Sequence, residues 1–315
     1  MIRYIKTTSN GVKLNKKRIF ITGGAGFIGT NLVKRLGKQN QITVYDKKNG
    51  DDLLDFAKLK RLIKNHDFVF HLAANPDIAK SEKCPKLDLD QGIITTFNVL
   101  DAMRCCGIKN IAYTSGSGVY GDQGIKYTKE SFGPLLPSSM YGASKLAAEG
   151  LISAFCHMYD MQSWIFRPAN IVGRRQTHGV GYDFIRKLNK NPGELVILGD
   201  GSQSKSYLYI DDLIDAVILA IEKSNDRVNL FNLASDSFVD VKTIAKITIE
   251  EMGLKNVMLH FGADSRGWKG DVPKVRIDAK KINNLGWQPK LNSKEAIKKS
   301  IKDLLKEIGY IKNKL

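Results

Sequence analysis

The first signal along the chain is a change of period. Arg18 to Thr22 is a short β-branched and aromatic run of the kind buried on both faces. The glycines after it lead into Ile28, Leu32 and Leu36 at i, i+4 spacing. That pattern predicts strand, turn, helix. A second strand is predicted at Gln41 to Tyr45, ending at Asp46, and further strands at Asp67 to Leu72, Asn110 to Thr114 and Gln162 to Arg167. Helical patterns fill the intervals, at Asp55 to Lys64, Ile93 to Cys106 and Ser144 to Tyr159. Parallel strands need helical crossovers, so this alternation predicts an α/β fold with a Rossmann-type doubly wound parallel sheet.

Beyond Asn170 the pattern loosens into Gly- and charge-rich segments, and a lysine-rich helix is predicted after Asn292. The domain reading is a flexible basic leader over 1–17, a Rossmann domain over 18–170 to which 207–235 returns, and a smaller C-terminal α/β substrate lobe from 171–206 and 236–315. The leader lacks the apolar core of a secretory signal. No window reaches the 18 consecutive apolar residues of a spanning helix. The best stretch, Leu213 to Ile221, is short and headed by Asp211 and Asp212, for which N-terminal capping is the expected role.

Composition narrows the class. The 315 residues are 43% hydrophobic and 26% charged, with four cysteines (Cys84, Cys105, Cys106, Cys156) that lack paired metal-ligand spacing, so reduced thiols in a cytoplasmic protein are expected. The net charge of +17 raises the question of nucleic acid. The lysines are spread over helices, as in Lys294, Lys298, Lys299, Lys302 and Lys306, without interleaved aromatic residues for base stacking, which disfavours a nucleic-acid partner. His71 ends a buried strand and His178 lies in a glycine-flanked loop. Neither has a partner at ligand spacing, and no metal is expected.

Two motifs carry chemistry. Thr22-Gly-Gly-Ala-Gly-Phe-Ile-Gly29 sets Gly23, Gly26 and Gly29 where a strand becomes a helix, so the backbone can approach a pyrophosphate at a helix N-terminus. Asp46, ending the next strand, is placed to accept bonds from the ribose hydroxyls and to repel a 2′-phosphate, which predicts NAD rather than NADP. Tyr141-Gly-Ala-Ser-Lys145 places a phenol and an ammonium on one helix face. A phenolate base at neutral pH needs its pKa lowered by ~3 units from about 10, and Lys145 with a nicotinamide cation could supply that.

Residues 18 to about 305 resemble the extended short-chain dehydrogenase/reductase family, and within it nucleotide-sugar epimerases of the UDP-glucose 4-epimerase type. Beside the glycine and Tyr-x-x-x-Lys motifs, the resemblance rests on Asp52-Leu53-Leu54-Asp55, His71-Leu72-Ala73-Ala74, Val119-Tyr120-Gly121, Arg167-Pro168-Ala169-Asn170, Gly199-Asp200-Gly201-x-Gln203 and Gly270-Asp271-Val272-Pro273. It implies Tyr141 and Lys145 as catalytic residues. It implies cofactor contacts from Gly23, Gly26, Phe27, Ile28, Gly29, Asp46, Asp52, Leu53, Leu72, Ala73, Ala74, Thr114, Tyr141, Lys145 and Pro168. Substrate contacts are implied at Asn170, Lys205, Arg266 and Asp271. A homodimer through the helices at Ile93 to Cys106 and Ser144 to Tyr159 is also implied.

Departures from the family pattern are informative. Only Lys47 to Asp51 separate Asp46 from Asp52, so the sheet edge is expected to be truncated. Lys205 stands where the family has an arginine, a point charge in place of a bidentate donor. Trp268 holds another usual arginine position, with Arg266 two residues earlier. Gly116 holds the usual Ser/Thr relay position, four residues before Tyr120. Three arrangements remain open there: direct contact of Tyr141 with the sugar, a water, or Ser117 swung inward, the best source of a protein hydroxyl. Ser117-Gly118 carries no carboxylate for eliminating water, so the reading is an NAD-dependent 4-epimerase of a UDP-sugar. A dehydratase or decarboxylase of the same family is the alternative, and a non-catalytic NAD- or RNA-binding relative is another.

Overall fold

The computed structural model describes residues 11–75 and 78–310. Five strands appear at the expected places: β1 (Arg18–Thr22), β2 (Gln41–Tyr45), β3 (Phe68–His71), β4 (Asn110–Thr114) and β5 (Gln162–Pro168). With a sixth strand, Val228–Leu233, they form one parallel sheet in the order Val228–Leu233, β5, β4, β3, β1, β2. Among the described residues β2 is its outer strand. The chain leaves Asp46 through a single turn, Lys47–Asn49, and enters helix α2 (Phe56–Ile63), so the edge is as short as the sequence suggests.

Side-chain alternation along the strands divides the core in two. Ile19 and Ile21, Phe68 and Phe70, Trp164 and Phe166 face helix α1 (Phe27–Leu36) and the helix Ile210–Lys223. Phe20, Val69, Ile111, Tyr113 and Ile165 face α2 and the helices Thr95–Cys106 and Met140–Met158. Strands β1, β3, β4 and β5 therefore have both faces covered, which is why they read as largely apolar runs, whereas the edge strand β2 is half-buried. Segment 207–235 supplies the Ile210–Lys223 helix on one face and the Val228–Leu233 strand at the β5 edge.

The remaining C-terminal residues pack the helices Val180–Lys190, Val241–Glu251 and Ser293–Glu307 with a small parallel pair, Glu194–Ile197 and Met258–Phe261. Asn292 and Glu295 close a capping box on the last helix.

Two local expectations are corrected. Asp211 and Asp212 do not cap their helix: it starts at Ile210, Tyr209 is the N-cap, and no side chain caps it. Asp211 instead takes both guanidinium nitrogens of Arg174, and Asp212 accepts from Leu291 N. The leader is the second. Residues 1–10 lie outside the described residues, but Gly11 N and Val12 N donate to the carbonyls of Glu222 and Ile221, and Leu14 is buried in the core. Residues 11–17 thus lie against the fold and not apart from it.

Candidate active site

The glycine turn is built by close approach. Gly23 has φ +69°, and a Cβ there would lie 2.7 Å from Ala73 N. A Cβ on Gly29 would sit 2.2 Å from the carbonyl oxygen of Gly23, so only glycine lets the first turn of α1, with Phe27 and Ile28, press onto the strand end. Gly26 is the N-cap, and no side chain caps the helix, which leaves its positive end for an anion. Asp46 stands beside this turn, its carboxylate accepting from Ala25 N and Lys48 N at 2.9 Å each. Leu72, Ala73 and Ala74 follow β3 and are half-buried, with Leu72 N donating to the Thr22 carbonyl. Asp52 lies near Lys47 and holds Leu54 N, whereas Leu53 packs into the core and its carbonyl accepts from Asn98. Pro168 ends β5 opposite Leu233. Strand ends β1 to β5 thus line the carboxyl edge of the sheet, where parallel sheets bind ligands, and the glycine cradle with Asp46 fits an NAD dinucleotide.

The helix that carries Tyr141 and Lys145 begins earlier than its apolar pattern suggested, at Met140, because Ser139 caps it by accepting from Gly142 N. Tyr141 and Lys145 fall one turn apart. Lys145 is 3% exposed and donates to the Thr114 carbonyl at 2.7 Å, with its Nζ 4.8 Å from the Tyr113 ring centre and 5.6 Å from that of Tyr141. Burial lowers the Lys145 ammonium to about 8, against the opposing pull of Glu149 and Asp88. Burial, reinforced by Asp88, pushes the Tyr141 phenol up to about 12. Before any further positive charge arrives, Tyr141 is therefore a phenol at neutral pH and Lys145 largely an ammonium.

The turn Ser117–Tyr120 packs onto this helix: a Cβ on Gly142 would be 2.6 Å from the Gly118 carbonyl. Gly116 is extended, with φ 177°, and a Cβ on it would meet nothing within 4 Å. Ser115 Oγ is committed to Glu149. Ser117 is half-buried, and its hydroxyl has no hydrogen-bond partner among the described residues. His71 is fully buried between Thr22 and Thr96 at 2.7 and 3.0 Å, and burial, then Lys145, lowers it to about 3, so it stays neutral. No cluster of three metal-ligating side chains occurs among the described residues.

Two of the substrate candidates, Lys205 and Arg266, meet at a third, Asp271. Asp271 accepts from Lys205 Nζ at 2.6 Å and from Gly267 N, while its carbonyl accepts from Arg266. Arg266 also reaches across to Asp122, just beyond Val119-Tyr120-Gly121, at 2.8 Å. Asn170 stands apart from them, donating to the Ser206 carbonyl at 3.3 Å.

A buried network beside the site was not foreseen. Arg167 binds Glu149 in bidentate fashion at 2.9 and 2.6 Å and donates to Tyr120 Oη at 3.0 Å, which in turn donates to Asn232. The available signal was spacing: Glu149 lies one helical turn beyond Lys145, and Arg167 immediately precedes Pro168.

Comparison with known proteins decides the family. The profile of the NAD dependent epimerase/dehydratase family matches residues 19–234. The chain belongs to that family. A UDP-glucose 4-epimerase of Mycolicibacterium smegmatis is 28% identical, the match covering 90% of this chain and 97% of the relative. The human dTDP-D-glucose 4,6-dehydratase is 27% identical over 90% of this chain and 89% of its own length. A crystal structure of a UDP-galactose 4-epimerase superposes with a TM-score of 0.83 at 35% identity, covering 92% of this chain and 99% of that one. The fold, the family and its NAD dependence follow together. No helix among the described residues is long and apolar enough to cross a membrane.

Proposed function

We propose that the protein is an NAD-dependent 4-epimerase of a UDP-sugar. The observation that carries this reading is the Tyr141 hydroxyl, which has no hydrogen-bond partner among the described residues and stands on the same helix face as a Lys145 clamped to the Thr114 carbonyl. The dinucleotide, when bound, supplies reversible two-electron oxidation of a sugar carbon. Tyr141 removes the proton of the C4 hydroxyl and returns one after the 4-keto sugar has turned its other face. Lys145 favours the phenolate by charge. Lys205 and Arg266, positioned by Asp271, supply the cations for the diphosphate, and Asn170 borders it.

The choice of epimerisation over dehydration rests on the turn against the catalytic helix. Ser117 and Gly118 precede Val119-Tyr120 in the turn that meets Gly142 through the Gly118 carbonyl, and they offer no carboxylate. The test is incubation of the purified protein with a panel of UDP-sugars, followed by proton NMR. A C4 epimer of one of them is expected. A 4-keto-6-deoxy product or a pentose formed with loss of carbon dioxide would overturn the reading.

Gly116 bears on rate. The open space around a Cβ there, and the extended backbone, let a serine enter without strain. Gly116→Ser is therefore expected to restore a hydroxyl between sugar and phenol and to raise kcat by about tenfold or more, since a positioned proton relay is worth on the order of 10²-fold. A lower kcat at unchanged NAD affinity would show that the substrate itself requires the glycine.

The homodimer also belongs to this reading. Ile94 and Phe97 are 40% and 45% exposed at the start of the Thr95–Cys106 helix, and Phe97 meets Phe155 of the catalytic helix edge-on. An apolar face of this kind is suited to pairing with its own copy. Light scattering at micromolar concentration is expected to give twice the chain mass, and a monomer mass would contradict it.

A further inference from the structure

Asp88 is a buried carboxylate, 1% exposed, at the end of the short helix Lys86–Asp88 that runs on through the π-helical turn Leu89–Ile94 into Thr95–Cys106. Its two partners are neutral. Asn75 Nδ2 donates to one oxygen at 3.0 Å and Ser81 Oγ to the other. Among the described residues no cationic side chain lies within ion-pair distance of it, which is unusual for a carboxylate so far from water. The helical run that carries it packs directly on the catalytic helix, since a Cβ on Gly92 would lie 2.7 Å from Ser144 Oγ. Asp88 precedes Gly92 by one turn, and Tyr141 precedes Ser144 by about one turn.

We infer that Asp88 is the counter-charge of the Tyr141 and Lys145 pair, a positioning residue that acts through space on the charge of both. The inference rests on Tyr141 being the base. The Ile78–Glu82 turn, which also packs on the Met140–Met158 helix, carries Lys80 and Glu82, both exposed, and the remaining titratable groups facing the pair are Glu149, Tyr113 and His71. Glu149, on the same helix, is matched by Arg167. Tyr113 on β4 is pushed well above its ordinary value by burial, and His71 on β3 is held neutral. Glu149 and then Asp88 raise the Lys145 ammonium against burial, and Asp88 is the carboxylate that also raises the Tyr141 phenol.

The sign of its effect separates charge from scaffolding. Without the negative charge, the phenolate is easier to form and the ammonium easier to lose, so both titrations move toward acid. In Asp88→Asn, the Lys145 midpoint, followed by NMR of the labelled lysine in full-length protein without dinucleotide, is expected to fall by about one pH unit. Both limbs of the kcat/KM profile of the NAD-loaded enzyme are expected to move the same way. Ser81→Ala removes a hydrogen bond and keeps the charge, so its midpoints stay in place. Asp88→Ser serves as the second neutral variant if the asparagine does not fold. A Lys145 midpoint that stays or rises in a folded neutral variant overturns the inference. If the unaltered protein turns over no UDP-sugar while the midpoint falls in Asp88→Asn, the counter-charge is supported and only the epimerase reading is overturned.

Discussion

Tyr141→Phe lowers turnover by about 10³-fold while leaving NAD affinity within roughly threefold of its starting value. The first half follows from the role of the hydroxyl. A positioned general base contributes on the order of 10² to 10⁴ in rate, and the free hydroxyl of Ser117, an aliphatic alcohol, is too weak an acid to replace the phenol as base. The second half follows from geometry. The proposed dinucleotide contacts come mostly from the glycine turn, Asp46 and the strand ends, and the ring of Tyr141 stays in place beside Lys145 when only oxygen is removed. Rapid-quench turnover and fluorescence titration with NAD test the two halves separately. A variant that loses NAD binding to the same extent as turnover would make Tyr141 a structural part of the dinucleotide site.

Glu149→Ala destabilises the fold by about 3–5 kcal/mol, the usual cost of stranding one partner of a buried ion pair. The carboxylate holds Arg167 through two bonds and Ser115 through a third, and the three side chains are 7%, 3% and 2% exposed. Removing it leaves a guanidinium with a single side-chain partner, Tyr120, in the interior. Thermal unfolding is expected to fall by roughly 10 °C for a chain of this size. The double variant Glu149→Met with Arg167→Met removes both charges and is expected to recover most of the loss, because the cost lies in the unpaired charge and not in the absence of the pair. If the double variant is no more stable than the single one, the pair itself stabilises the fold. The same network joins three elements around the site. It ties the Met140–Met158 helix to β5 beside Pro168 and to the end of β4 beside Gly116, so the groups proposed to meet the sugar are anchored by one set of bonds.

The parallel sheet and the dinucleotide turn were legible in the chain because their signals are local. A strand buried on both faces has to be apolar throughout, as Ile19, Phe20 and Ile21 are, and a helix covering one face has to repeat its apolar residues every three or four positions. The glycine turn is read from three residues because steric approach within a few residues requires them: Gly29 touches Gly23, six positions away. Tyr141 and Lys145 were legible for the same reason, since one helical turn joins them. Even the truncated edge after Asp46 followed from counting residues between two motifs.

What the sequence left open is what depends on distant partners. Asp211 and Asp212 look like a helix cap when only their neighbours are considered, but Arg174 and Leu291 claim them from 37 and 79 positions away. Arg266 finds Asp122 across 144 positions. Glu149 looks like one more acid on a helix until Arg167 is brought against it from the next strand, and Asp88 looks solvated until the loop after β3 folds Asn75 and Ser81 over it. The physical reason is common to all of them. Whether a charge is paired or solvated, and therefore what it does to its neighbours, is set by burial and by which elements pack together. Hydrophobic periodicity determines that an element has a buried face, and only the tertiary structure decides which charges that face encloses.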